Sequence, residues 1–148
     1  MSRPIRFFSK QERWYEFSNF YPSTFVADGE RWPTVEHYFH AQKFPRDEDA
    51  AHRRRIREAG SPQQAKALGQ SRTATIRPDW DQVRDEVMLG ALRLKFADPA
   101  LRELLLGTGK RELIEASPYD RYWGEGRDGK GKNRMGKLLM QLRDELRG

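Results

Sequence analysis

The sequence predicts an α+β fold that is mainly α-helical, with small β segments near the N-terminus. Apolar residues recur at the helical period over long stretches, whereas runs that favour strands are short. Capping residues, prolines and glycines mark the ends of the helical stretches. At 148 residues the chain is expected to form one domain over residues 1–148 with its own core.

Two short β segments are predicted before the first helix. Residues 5–8 and residues 23–31 are runs that favour extended structure, and the second contains the pair Asp28-Gly29. Asp-Gly is one of the pairs that close tight hairpins, because both positions tolerate a positive φ. Residues 23–31 are therefore expected to form a β-hairpin.

Two helices are predicted after the hairpin. Thr34 can cap a helix that runs to about residue 44, where Pro45 ends it. Residues 47–59 are first acidic and then basic, which favours a second helix.

A capping box predicts the third helix. Residues 61–64 read Ser-Pro-Gln-Gln, with proline at the first helical position, and Gly69 is expected to end the helix. A long amphipathic helix follows, since apolar residues then keep the 3.6-residue period. These residues are Trp80, Val83, Val87, Ala91 and Leu94.

The last part of the chain is predicted to contain two helices and a strand. Asp98, followed by proline, starts a helix that includes residues 101–106. Residues 113–115 favour a brief strand, and residues 135–146 favour a final helix.

Composition limits the classes of function. The chain carries 28 Lys and Arg against 22 Asp and Glu, and this net charge of +6 predicts an anionic ligand or partner. It has no cysteine, which excludes disulfides, thiolate nucleophiles and cysteine-based metal centres. Neither a long apolar run nor a leader after Met1 is evident, so a cytoplasmic enzyme or binding protein is expected.

The most unusual stretch runs from residue 117 to residue 134 and contains Asp120, Trp123, four glycines and several cations. Glycines let backbone amides approach a ligand, lysines suit an anion, and the following helix start carries partial positive charge. The loop is expected to hold a phosphate-bearing ligand; the alternative is a connector with solvated lysines. Its spacing matches neither the P-loop nor the dinucleotide fingerprint.

Glu36, His40 and Lys43 fall near one face of the helix after Thr34, because His40 comes one turn after Glu36 and Lys43 comes two turns after it. Aromatic residues surround Glu36 in the sequence, and an ionisable group in apolar surroundings is costly unless it is paired or functional. A catalytic site is favoured. The alternative is an exposed Glu36–His40 pair that contributes about 0.2–0.5 kcal/mol to the helix.

Several other patterns allow two interpretations. His37 and His40 are three residues apart, but no further ligands complete a metal shell, so no metal is predicted. The arginine-rich run 53–57 is favoured as a solvated helix face over a nucleic-acid contact. Trp80 is favoured as a core residue over a stacking surface for a base. Residues 17–22 either pack down the hairpin or line a pocket.

Five ordered blocks resemble the YbiA-like or NADAR family. They are Phe-Ser-Asn-Phe at 17–20, Trp-Pro-Thr-Val-Glu-His-Tyr-Phe-His-Ala-Gln-Lys-Phe at 32–44, Arg-Pro-Asp-Trp at 77–80, residues 88–96, and Asp-x-x-Trp-Gly at 120–124 with Gly-Lys-Gly-Lys-Asn-Arg-Met-Gly at 129–136. The resemblance implies a YbiA-like helical domain and a cofactor-free N-glycosidase, which cleaves the bond between a ribose carbon and a base-like nitrogen. The substrates it implies are phosphorylated ribosylaminopyrimidine intermediates of riboflavin synthesis, or ADP-ribose attached to guanine.

The resemblance also implies roles for residues. Glu36 and Asp120 are the implied catalytic carboxylates, Trp80 and Trp123 help to hold the base, and Lys43 lies in the site. Cleavage of an N-glycoside develops positive charge on the sugar, so it needs a carboxylate near the anomeric carbon and a proton-transfer group. The two carboxylates are expected to meet across a cleft, in an order that stays open. Alternatively, Lys43 forms a Schiff base with ring-opened ribose if burial lowers its pKa.

The expected partner is a small phosphorylated ribosyl substrate or ADP-ribosylated nucleic acid, and not a membrane. The other residues expected to bind substrate are Phe17, Ser18, Asn19, Tyr38, His40, Gly124, Lys130, Lys132, Asn133 and Arg134. The competing hypothesis is a non-catalytic nucleic-acid or nucleotide-binding module that uses residues 53–57 and the glycine-lysine loop.

Overall fold

A computed structural model describes residues 3–148, so residues 1 and 2 of the predicted domain lie outside it. Within the described residues the chain forms six α-helices and four strands of three residues each. The predicted class, α+β and mainly helical, is confirmed. The chain divides into two compact units: the central unit, Pro22–Lys95, and the terminal unit, which combines the chain up to Tyr21 with Phe96–Gly148.

The central unit begins with the predicted hairpin. Strand β1 (Ile5–Phe7) comes earlier in the chain and belongs to the terminal unit. The hairpin consists of β2 (Phe25–Ala27) and β3 (Glu30–Trp32), which pair antiparallel. Asp28 and Gly29 have φ values of 55° and 77°, the left-handed region that a two-residue hairpin turn requires.

Helix α1 (Val35–Ala41) begins at the predicted cap, because the Thr34 hydroxyl accepts a hydrogen bond from the amide of His37 at 3.2 Å. Its predicted end at residue 44 was wrong. The amide of Lys43 bonds to the carbonyl three residues before it, which tightens the last turn, and the residue before Pro45 disfavours helix. Lys43 therefore lies just beyond the helix.

Three more helices complete the central unit: α2 (Ala50–Arg57), α3 (Pro62–Gly69) and α4 (Trp80–Lys95). The predicted helix over residues 47–59 is divided, since Asp47–Asp49 forms a 3₁₀ turn before α2. The predicted N-cap is confirmed, because the Ser61 hydroxyl accepts from the amide of Gln64 at 3.1 Å. The Gln64 side chain accepts from the amide of Gly60 at 2.8 Å, one residue before the amide that a capping box uses.

In the terminal unit, β1 pairs in parallel with β4 (Leu113–Glu115), and α5 (Pro99–Leu106) and α6 (Arg134–Arg147) complete it. Asp98 caps α5, and α6 packs on β4. Parallel pairing joins strands far apart in sequence, which periodicity does not reveal. No helix within residues 3–148 combines the length and apolar character needed to cross a membrane.

Replacing Gly136 by alanine is expected to lower the free energy of unfolding by about 2 kcal/mol. A Cβ on Gly136 would lie 1.9 Å from the carbonyl oxygen of Leu113, so glycine allows the close approach of α6 to β4. Urea unfolding measures the effect. Gly90→Ala in α4 is the matched control, because a Cβ there meets nothing within 4 Å. Equal midpoints for Gly136→Ala and wild type would contradict the packing argument.

Candidate active site

Glu36 and His40 form a buried pair on α1. The two residues are 7% and 5% exposed, and the Nε2–H of His40 donates to the Glu36 carboxylate at 3.1 Å. This burial excludes the alternative of an exposed surface pair. A carboxylate held in low dielectric interacts more strongly with a nearby positive charge than one in water. The burial and the hydrogen bond are compatible with a catalytic carboxylate, and the catalytic role of Glu36 stays a prediction.

Lys43 adds a buried amine after the last turn of α1. It is 7% exposed, its Nζ donates to the carbonyl of Gly69 at 3.4 Å, and it lies 6.0 Å from the ring centroid of Trp80. Burial lowers the pKa of Lys43 to about 8; Glu36 opposes this shift, and Lys66 adds to it. A substantial fraction of this amine is thus neutral at mildly alkaline pH, which is the condition for a nucleophile.

Gly69, at the end of α3, contacts both His40 and Lys43. A Cβ on Gly69 would lie 2.3 Å from Nδ1 of His40, so the imidazole occupies the space that a side chain would fill. That Nδ1 atom is buried and has no hydrogen-bond partner within residues 3–148. The sequence predicted Gly69 only as a helix stop, because contacts between residues far apart in sequence cannot be seen in local spacing.

Aromatic rings surround this cluster. Trp80 is 8% exposed and packs against Phe39 with ring centroids 5.0 Å apart, which supports the predicted core position. The ring of Tyr38 makes edge contacts with Phe25 and Trp32 of the hairpin, at 5.6 and 5.3 Å. Its contacts are those of a packing residue, and its role in substrate binding stays a prediction.

The other two histidines are structural. The Nε2–H of His37 donates to the carbonyl of Ala59 at 3.0 Å, so its Nδ1 accepts from the Thr34 hydroxyl at 2.8 Å. His52 donates to the carbonyl of Leu68 at 3.0 Å. Burial lowers the pKa of His37. Within residues 3–148 no three His, Asp or Glu side chains cluster as possible metal ligands, and a metal-free site stays a prediction.

The arginine-rich run on α2 is largely engaged within the protein. Arg53 donates to two backbone carbonyls that follow α1, each at 2.6 Å. Arg54 and Arg57 pair with Glu58 and Glu30 at 3.1 and 2.5 Å. These contacts weaken the hypothesis that the run binds nucleic acid, since two of its four arginines are paired with acids and a third is bonded to the backbone.

In the terminal unit, Asp120 organises its own loop. Its Oδ1 accepts hydrogen bonds from the amides of Tyr122 and Trp123 at 2.9 and 2.7 Å. The carboxylate thus fixes the turn that carries Trp123 and Gly124, as turn aspartates commonly do. The second carboxylate oxygen takes no part in this turn, and the catalytic role of Asp120 stays a prediction.

The glycines of the loop serve its own backbone. A Cβ on Gly131 would lie 2.5 Å from the carbonyl of Gly124, so the two chain segments touch only because glycine is present. The amides of Arg134 and Met135 donate to loop carbonyls at 3.0 and 3.1 Å. The amides at the start of α6 are therefore engaged by the loop itself, and the phosphate site of this loop stays a prediction.

Several predicted binding residues have structural contacts. The side-chain NH2 of Asn133 donates to the carbonyl of Leu113, and its side-chain oxygen accepts from the backbone amide of Glu115, both at 2.9 Å. Asn133 thus connects the loop to β4. Phe17 is fully buried, and its ring centroid lies 5.9 Å from that of Phe7, which is the environment of a core residue; its contact with substrate stays a prediction. Of the two interpretations given for residues 17–22, packing therefore describes Phe17.

The other predicted binding residues of the terminal unit remain candidates. Lys130 and Lys132 are exposed, and the Nζ of Lys132 lies 5.6 Å from the ring centroid of Tyr122. The hydroxyl of Ser18 accepts from the amide of Phe20 at 3.1 Å. The last members of this group are Asn19, which is buried, and Arg134, which is half-buried.

A helical α+β protein that buries an acid, an imidazole and an amine together has the features of an enzyme. Residues 6–147 match the NADAR domain, and the chain belongs to this family. It is 46% identical over 143 residues to the N-glycosidase YbiA of Escherichia coli, an alignment that covers 96% of this chain and 88% of that protein. The NMR structure of the E. coli protein YbiA matches with a TM-score of 0.87 at 44% identity, covering 98% of this chain and 85% of that one.

Two further relatives are informative. An N-glycosidase of Nostoc punctiforme is 45% identical over 132 residues, covering 88% of this chain and 85% of that protein. A chloroplastic riboflavin biosynthesis protein of Zea mays is 39% identical over 159 aligned positions, which span 97% of this chain and 25% of the maize protein.

Proposed function

We propose that this chain is an N-glycosidase that hydrolyses the N-glycosyl bond of a phosphorylated ribosyl adduct. Membership of the NADAR family and the names of its E. coli and Nostoc relatives make it a hydrolase of N-glycosyl bonds. The observation that carries the proposal is the buried Glu36 carboxylate, bonded to His40 and accompanied by the low-pKa amine of Lys43.

Two substrate classes fit. One is the phosphorylated ribosylaminopyrimidines of riboflavin synthesis, which the name of the maize relative supports. The other is ADP-ribose attached to guanine. Both present phosphate groups, in keeping with the net charge of +6.

Glu36 is the proposed stabiliser of the sugar cation or the proton-transfer group. As the bond from C1 of ribose to the leaving nitrogen breaks, positive charge develops on C1 and the ring oxygen. A carboxylate that is already oriented in an apolar site stabilises this charge without reorganising solvent. The hydrogen bond from His40 supplies the orientation.

Lys43 is the proposed nucleophile of a covalent route. After ring opening, its neutral amine adds to C1, the base leaves with its nitrogen, and a protonated imine forms; water then releases the sugar and the free amine. Turnover is expected to rise as the pH increases through about 8, because the reactive neutral amine is the minor form below the pKa of Lys43.

Borohydride trapping tests this route. Reduction of the imine during turnover should attach the sugar phosphate to Lys43, which peptide mass spectrometry would locate. Lys43→Arg should abolish trapping, since a guanidinium stays protonated, whereas Lys66→Arg on the exposed face of α3 should still be trapped. A flat rate across pH 7–9 without an adduct would exclude the covalent route.

Lys130 and Lys132 are proposed to hold a phosphate of the substrate. Replacing both by alanine is expected to raise KM about tenfold with little change in kcat, because a contact remote from the breaking bond contributes equally to ground and transition states. Steady-state kinetics measure KM and kcat separately, with Lys10→Ala as an exposed-lysine control. Unchanged KM in the double variant would show that neither lysine contacts phosphate.

The assay that tests the proposed function supplies both substrate classes to the enzyme. The protein is incubated with a ribosylaminopyrimidine phosphate and, separately, with DNA that carries ADP-ribosylated guanine. Release of ribose phosphate or of ADP-ribose is expected from at least one of them. Release from neither, by folded protein, would contradict the proposal.

A further inference from the structure

Two neighbouring aromatic side chains of the terminal unit are exposed and have no place in the proposed chemistry. Tyr119 is 80% exposed and Phe8 is 39% exposed, and their ring centroids lie 6.4 Å apart. Single exposed aromatics are common, but an adjacent pair presents a continuous apolar area to water. Such an area is typical of a surface that stacks against a ligand.

The turn that carries Tyr119 is held in place from both sides. The hydroxyl of Ser117 accepts from the amides of Tyr119 and Asp120, each at 3.2 Å. Asp120 in turn accepts from the amides of Tyr122 and Trp123. The backbone beneath the exposed ring is therefore organised before any ligand binds, which lowers the entropy cost of binding.

The side chains of the same loop carry unbalanced positive charge. Its acids are Asp120, Glu125 and Asp128, and its cations are Arg121, Arg127, Lys130 and Lys132. Glu125 is paired with Arg6, outside the loop, and Asp128 is paired with Arg121 at 2.6 Å. After these pairings, the loop has three exposed cations, Arg127, Lys130 and Lys132, and one further carboxylate, that of Asp120. The loop is complementary to a polyanion.

We propose that Phe8, Tyr119, Arg127, Lys130 and Lys132, together the aromatic-basic surface, bind a single strand of DNA. Aromatic rings stack on unpaired bases, and cations follow the phosphates. A duplex hides the faces of its bases, so it cannot use the rings. Stacking and phosphate contacts need no 2′-hydroxyl, so DNA is sufficient. The purpose of this binding, to bring a modified base to the loop, rests on the proposed function. The binding itself does not require turnover.

Fluorescence anisotropy with a labelled twelve-residue thymidine strand tests the surface. Tyr119→Ala is expected to weaken binding about fivefold or more, the usual loss for one stacked base. Val26→Ala is the matched control, because Val26 is 58% exposed and lies in the hairpin of the central unit. Lys130→Ala should lower the dependence of log affinity on log salt by about one unit, whereas Tyr119→Ala should leave that slope unchanged.

A strand of the same length without bases separates stacking from charge. Wild type should bind this abasic strand more weakly by at least the factor lost in Tyr119→Ala, and Tyr119→Ala, which keeps only Phe8 for stacking, should discriminate less than wild type between the two strands. Absent binding by wild type, unchanged binding by Tyr119→Ala, or tighter binding of an RNA strand of the same sequence would each overturn the proposal. Since the strands carry no adduct, the glycosidase activity is tested independently of this result.

Discussion

Replacing Glu36 by glutamine is expected to lower turnover about 100-fold or more while the protein stays folded. Glutamine keeps the size of the side chain, and its carbonyl oxygen can accept the hydrogen bond that His40 donates at 3.1 Å. The substitution therefore removes the charge and the proton-transfer capacity and leaves the packing of α1 intact. Turnover measured together with thermal unfolding separates the two effects.

Glu58→Gln is the matched control for this experiment. Glu58 follows α2 and pairs with Arg54 on the surface, where an ion pair contributes about 0–1 kcal/mol. Its replacement should change neither turnover nor melting. If Glu36→Gln also shows the melting and the activity of wild type, Glu36 is a buried structural acid.

Replacing Asp120 by asparagine is expected to lower the single-turnover rate about 100- to 1,000-fold, which is about 3–4 kcal/mol of transition-state stabilisation, with little change in substrate affinity. Asparagine keeps an Oδ1 that can accept from the amides of Tyr122 and Trp123, so the turn should persist. Only the charge is then lost. Calorimetry gives the affinity, and rapid quench gives the rate.

Asp120→Ala completes the comparison, because alanine removes both the charge and the turn hydrogen bonds. If Asp120 is only a turn residue, asparagine should match wild type and alanine alone should impair the protein. A wild-type rate for Asp120→Asn would remove Asp120 from the catalytic group and leave the proposed chemistry to Glu36 and Lys43.

The sequence predicted the class of fold well because its evidence was local. Thr34, Ser61 and Asp98 each cap the expected helix, and Asp28-Gly29 closes the expected hairpin. Caps and turns depend on a few neighbouring residues, so their patterns are visible in the chain. The end of α1 was misplaced because its last turn tightens before proline, a detail that periodicity does not resolve.

The candidate site was predicted in part for the same reason. Glu36 and His40 lie on α1 and Lys43 follows its last turn, so their spacing in the sequence was enough to place them close together. The part that Gly69 plays depends on contact between α3 and α1, and it was missed. In the loop of residues 117–134, the glycines were predicted to let the backbone approach a ligand. Gly131 and the backbone amide of Arg134 instead contact other residues of the loop. Contacts between residues far apart in the sequence cannot be predicted from the local spacing of residues.

The measurement that tests the central claim most directly is the mass of both products formed from a ribosyl adduct. An N-glycosidase with Glu36 in its site should release a sugar that keeps its phosphate, together with an intact base that keeps the nitrogen formerly bonded to C1. Both products should fall in parallel with Glu36→Gln. Release of inorganic phosphate, a base that has lost that nitrogen, or no cleavage of any ribosyl adduct would contradict the account.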